Sequence, residues 1–139
     1  MRVWNLQNCV VKFFFVFELR KTSASGVVVV VITSFCNNSI SRLANASTDS
    51  PVLMAAKATL RNGSPVLLGI STNDALGLNG VNLMKLLNMK NVFFIPFGQD
   101  DPINKPNSLI SDFTLMVPAA AAALKNEQIQ PLLIIHEQK

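Results

Sequence analysis

The four polar residues Ser71-Thr72-Asn73-Asp74 follow directly on the apolar run "PVLLGI", and two glycines, Gly77 and Gly80, frame the loop beyond them. Two other stretches share this layout. "TSFCNNS", residues 33–39, follows "VVVVVI", and "PFGQDDP", residues 96–102, follows "VFFI". An Asn side chain offers one acceptor and two donors without titrating. Asn38 and Asn73 could therefore orient a carboxylate or the edge of a cofactor ring, but neither can act as a base. Asp74, Asp100 and Asp101 could accept a proton; Asp is equally an ordinary loop residue. Cys36 has no basic neighbour in sequence to depress its thiol pKa, so it reads as a small loop or core residue. His136 is the one histidine and lies near the end, outside all three loops, which leaves Ser-His-Asp and Cys-His mechanisms without their base. Cys9 and Cys36 are far apart with no C-x-x-C spacing, so neither a disulfide framework nor a metal site is expected. No G-x-G-x-x-G and no phosphate-cradling G-x-x-x-x-G-K-[ST] occurs.

The elements that must hold these loops are read from patterning. Residues 27–32 are a continuous β-branched run, the signature of a strand buried on both faces. Asn38 or Ser39 can cap a short helix reaching about residue 45. Residues 51–62 form a second helix, with Ser50 as N-cap, Pro51 at the first helical position and Gly63 past the end; Leu53, Ala56 and Leu60 share its inner face. Residues 66–70 make the next strand. A helix capped by Asn79 comes after it, with Leu83, Met84 and Leu87 inward, and then a strand over 92–95. Residues 108–125 read as one helix that Pro118 should kink near Val117, and residues 131–135 as a last strand. Strands alternating with helices predict an α/β fold, Rossmann-like, with a mostly parallel sheet and flanking helices. In such a sheet the strand C-termini share one edge where ligands bind, and all three polar loops leave strands at that edge.

Composition narrows the class. Of 139 residues, 50% are hydrophobic and 14% charged, enough apolar material for one domain and too little charge for disorder. No apolar run reaches the roughly 18 residues of a bilayer span. The formal net charge is +4, but Arg2, Lys12, Arg20 and Lys21 against Glu18 put most of it in residues 1–21. The rest is nearly neutral and carries no basic stripe for nucleic acid. Residues 1–26 do not match the remainder of the chain: an aromatic and β-branched run precedes "RKTSASG". They read as a divergent segment, an edge strand or sequence foreign to a domain spanning 27–139.

The stretch "SRLANASTDSPVLMAAKATLRNGSPVLLGISTNDALGLNGVNLMKLLNMKNVFFIPFGQDDPINKPNS" resembles the family of dipicolinate synthase B subunits. The match is gapless over residues 40–108 and looser to 135, and "DSPVLMAAKATLRN" and "STNDALGLNGVNLM" are its most specific parts. That family is a branch of the flavoproteins that include flavin-dependent cysteine decarboxylases. Their loop Pro-Ala-Ser-Ala-Asn-Thr falls on Ser34-Phe35-Cys36-Asn37-Asn38-Ser39, with Asn38 identical and Ser39 conservative. Their Pro-Ala-Met-Asn motif falls on Ile70-Ser71-Thr72-Asn73, with the Asn kept.

The resemblance implies FMN contacts at Ser34, Cys36, Asn38 and Ser39, and a catalytic role for Asn73 beside the substrate. It implies oxidation of a dihydrodipicolinate-type precursor to dipicolinate, with NAD(P) on the A subunit of dipicolinate synthase as partner. An oligomeric assembly in the cytoplasm of a sporulating mother cell is implied too, with neither nucleic acid nor membrane as partner. The family's first βα unit, whose Gly- and Ser/Thr-rich loop holds the flavin phosphate, has no counterpart in residues 1–26. The sheet is therefore expected to be incomplete on its N-terminal side, and flavin not to stay with the chain alone. Two alternatives remain: a non-catalytic, truncated flavoprotein-like module, and a flavin-dependent decarboxylase, although the decarboxylases' catalytic His has no equivalent in the three loops.

Overall fold

A computed structural model describes residues 13–19 and 27–136. Its sheet is built around β2 (Val27–Phe35), β3 (Val66–Thr72) and β4 (Val92–Phe94), which run parallel. Antiparallel strands extend this parallel centre, so the sheet is mixed and not mostly parallel as expected, because the added strands join without helical crossovers. β1 (Phe13–Leu19) pairs with β2 in unbroken register from Phe13↔Thr33 to Leu19↔Val27. An antiparallel neighbour needs only a hairpin, whereas a parallel one needs a crossover of a dozen or more residues. β1, an edge strand as in one of the two readings of this segment, therefore gives β2 a second neighbour on the side where the sheet was expected to be incomplete. The remainder of residues 1–26 lies outside the described residues.

Alternation within the central strands divides the core in two. Ile32, Leu68 and Phe94 face one side, covered by α1 (Asn37–Ala44), α2 (Pro51–Arg61) and α3 (Gly80–Leu87). Val31, Leu67 and Phe93 face the other, where Ala119, Ala120 and Ala123 of α4 (Met116–Ala123) pack. Val31, Ile32 and residues 66–70 are buried between these two layers, which explains why 66–70 and the end of the first run read as apolar instead of alternating.

α2 forms as its sequence requires. Leu53 N–H donates to the Ser50 hydroxyl at 3.3 Å, Pro51 takes the first turn, and Gly63 follows the helix at φ +72°. α3 departs in detail: Leu83 and Leu86 are buried while Met84 points out. α1 starts two or three residues earlier than expected. Cys36 is its N-cap, without a side-chain cap bond, so neither Asn38 nor Ser39 caps it.

The largest difference lies at 108–125. There is no continuous helix. β6 (Leu109–Ser111) comes first, then a 3-10 turn over Phe113–Leu115 capped by Asp112, and only then α4. Pro118 is the third residue of α4. In a first turn the missing N–H has no intrahelical partner to lose, so no kink is forced. The apolar stretch at 131–135 contributes one parallel bridge, Phe97↔Leu133, in place of a full strand.

β6 occupies an opening in the sheet. β4 leaves β3 after Ile95, whose N–H still donates to Leu68 O at 2.9 Å. The chain then turns at Pro96 into β5 (Phe97–Gly98), and β6 fits between β3 and β5, antiparallel to both. The buried Ser111 hydroxyl closes the seam. It accepts the Ile70 N–H at 2.8 Å and donates to Ile95 O at 3.1 Å.

Candidate functional site

The C-terminal ends of β2 and β3 open onto a pocket of about 380 Å³. Cys36, Asn37 and Asn38 reach it from the start of α1; Ser71, Thr72 and Asn73 from the end of β3; Asp100 from the loop after β5. Leu109 and Ile110 of β6, with Ser108 before them, form the remaining wall. The three polar loops singled out in the sequence thus meet at one place, and they do so where a parallel sheet offers its crevice.

The candidate residues divide within this geometry. Asn38, Asn73 and Cys36 line the pocket together. Ser39 stands behind Cys36, its hydroxyl 3.5 Å from the sulfur. Ser34 lies in β2, and its side chain falls outside the described residues. The three loop carboxylates also separate. Asp100 lines the pocket. Asp74 is folded over Gly77, where any Cβ would strike its carboxylate. Asp101 closes a turn of its own, accepting from Asn104 N–H at 3.1 Å and from the Asn104 side chain.

Charge is sparse here. Asp100 is the one ionisable carboxylate among the lining residues, and no Lys, Arg or His joins it. Burial pushes the Cys36 thiol up, but hydrogen bonds from the Ser39 side chain and from backbone N–H groups at the start of α1 outweigh it. The net effect lowers the Cys36 pKa below the ordinary thiol value, as expected for a sulfur at a helix N-terminus. Sequence neighbours alone did not reveal this, because the stabilising groups are N–H dipoles and not basic side chains. Outside the pocket, the Asn104 backbone and side chain hold Asp101 below the usual carboxylate range. The Thr114 hydroxyl and N–H do the same for Asp112, with a smaller contribution from His136. Among the described residues no group of three His, Cys, Asp or Glu could hold a metal ion. None of their helices is long and apolar enough to cross a membrane.

Ser108, Leu109 and Ile110 are site residues that helix periodicity concealed. The one local signal in "SLISDFT" is Asp112 two residues before Thr114, which marks where a helical turn begins and so sets residues 108–111 apart from the helix.

No family model matches the chain. The B subunit of dipicolinate synthase from Bacillus subtilis (strain 168) is 61% identical over 109 residues, 78% of this chain and 54% of that protein. The crystal structure of the B subunit of dipicolinate synthase from Bacillus halodurans superposes with a TM-score of 0.76 at 59% identity, covering 77% of this chain and 55% of that one. The resemblance drawn from residues 40–108 is borne out, as is the open α/β architecture. The chain spans about half the length of these relatives.

Proposed function

We propose that the chain acts as a B-type subunit of dipicolinate synthase, holding a dihydrodipicolinate-type precursor for oxidation to dipicolinate in the mother-cell cytoplasm. One observation carries this reading: within a segment similar to that protein, Asn38 and Asn73 come from two different strand ends and line one polar pocket. The pocket is small and rich in hydrogen-bonding groups, which suits a compact polar ring better than a long apolar ligand.

The division of labour follows from residue chemistry. Asn73, on the lip of β3, orients the substrate through its amide. Asn38 faces it from α1. Leu109 and Ile110 supply the apolar wall against which a ring can lie. The Asp100 carboxylate is placed to take up a proton released from the ring. Asn38 and Asn73 would hold the polar edge of a flavin, which would supply a hydride acceptor when bound, the alternative acceptor being NAD(P) on a partner A subunit. The lining fits the polar edge of a flavin ring, because its Asn side chains provide both donors and acceptors. No lining residue offers a cation for the flavin phosphate. Ser34, Cys36 and Ser39 belong to the same proposed cofactor contact.

The test is calorimetric titration of dipicolinate into the chain and its Asn73→Ala variant. Saturable binding is expected for the parent and its loss for the variant. The thermal midpoint should barely move, because an exposed loop Asn contributes within about 0.5 kcal/mol to stability. Equal binding by both proteins would return Asn73 to a turn-forming role.

A further inference from the structure

Beyond the pocket, the layer formed by α1, α2 and α3 carries an outer surface of unusual composition. Met54 on α2 is 58% exposed, and Val81 and Met84 on α3 are 66% and 55% exposed. Ala44, Gly80, Val81 and Met84 line a shallow apolar groove between α1 and α3. The charges around it are mainly basic, and the carboxylate of Asp49, just before α2, is paired with Arg42 of α1 at 3.4 Å. Lys57 donates to Ala46 O at 3.3 Å and Lys85 to Asn45 Oδ1 at 3.4 Å, so both lysines converge on the end of α1 from neighbouring helices. Arg61 and Lys90 extend the set. From residue 50 to residue 99 the one acidic side chain is Asp74, and it is folded over Gly77 at the pocket end.

We infer that this helical face docks an apolar, acid-rimmed surface of a second polypeptide, and under the function proposed above that polypeptide is the A subunit of dipicolinate synthase. Isolated exposed apolar residues need no explanation, but a contiguous apolar patch with a polar rim marks an interaction site. Flexible methionines suit such a surface, because they repack around a partner's side chains. Charge selects the occupant. A second copy would set Lys57 and Lys85 against lysines of its own kind, whereas an acidic rim complements them and steers the encounter. The concave groove between two helices favours a protruding protein side chain over a flat lipid surface.

The experiment measures binding of the purified A subunit of dipicolinate synthase to this chain at low and high salt. The variants are Lys57→Glu with Lys85→Glu, Val81→Ser with Met84→Ser, Asn73→Ala, and Lys105→Glu on the loop after β5. Both helical-face variants are expected to weaken binding roughly tenfold or more, with thermal midpoints close to the parent's. Asn73→Ala and Lys105→Glu should bind as the parent does, and added salt should weaken the parent complex. Parent-like binding by both helical-face variants would overturn the docking face while leaving the partnership intact. Failure of the parent to bind the A subunit in either salt condition would overturn the partnership and this face together. Binding to vesicles containing phosphatidylserine that the Lys57→Glu/Lys85→Glu variant loses would assign the face to a membrane and overturn the proposal.

Discussion

At the scale of single residues, the site depends on side chains whose properties come from where the backbone places them. Cys36 is the clearest instance. Its sulfur sits against the first-turn N–H groups of α1 and the Ser39 hydroxyl. Because the thiol pKa is lowered, the nucleophilic thiolate persists to lower pH than in an ordinary cysteine. Alkylation by iodoacetamide, followed by mass spectrometry across a pH series, should show Cys36 reacting with a midpoint below that of an unstructured thiol. Ser39→Ala should raise that midpoint, since it removes the leading stabilising bond. A midpoint that Ser39→Ala leaves unchanged would mean the hydroxyl does not stabilise the thiolate. Asn38 and Asn73 were legible as site candidates from their positions after apolar runs. The environment of Cys36 was not, because a helix N-terminus contributes partial charges that no residue type announces.

At the scale of elements, the seam between β3, β4 and β6 determines the pocket's shape. Ser111 substitutes a side chain for a missing rung of the ladder, so its loss leaves the buried Ile70 N–H and Ile95 C=O without partners. Ser111→Ala should cost about 1–3 kcal/mol in denaturant unfolding, the range for stranded buried polar groups. A change within about 0.5 kcal/mol, the usual surface value, would show that the seam repairs itself. The parallel centre and α2 could be read directly: residues 27–32 and 66–70 are apolar runs, and Ser50, Pro51 and Gly63 mark the ends of one helix. β6 was hidden behind the helical reading from 108 onward, because three residues are too few to impose a period of two on the alanine-rich stretch beyond them. The pairing that makes β6 a strand also joins Ile70 to Ser111, 41 residues apart. Local propensity has no access to such a contact.

At the scale of the whole molecule, charge is segregated: the helical layer is basic at its outer surface, and the pocket holds one carboxylate and no cation among its lining residues. The overall charge of +4 concealed this division, because sequence order does not show that Lys57 and Lys85 meet at the end of α1. The pocket's polarity bears on cofactor retention. A flavin phosphate finds no basic side chain there and meets Asp100 at the rim, so the ring edge alone must hold it. Flavin mononucleotide added to the purified chain should therefore separate from it on gel filtration, leaving no flavin absorbance in the protein fractions. Stoichiometric retention would show that other groups of the chain carry the phosphate.

The insertion of β6 beside β3 also bears on the order of assembly. During synthesis the chain emerges from its N-terminus, so β2, β3 and β4 are available to pair before residues 108–111 exist outside the ribosome. Until then one wall of the pocket is absent and the Ile70 amide has no side-chain acceptor. A ligand that touches both Asn73 and Ile110 binds the docked arrangement alone, and by mass action it favours that arrangement over the open sheet. The pocket is thus a late product of folding that its own occupant helps to complete.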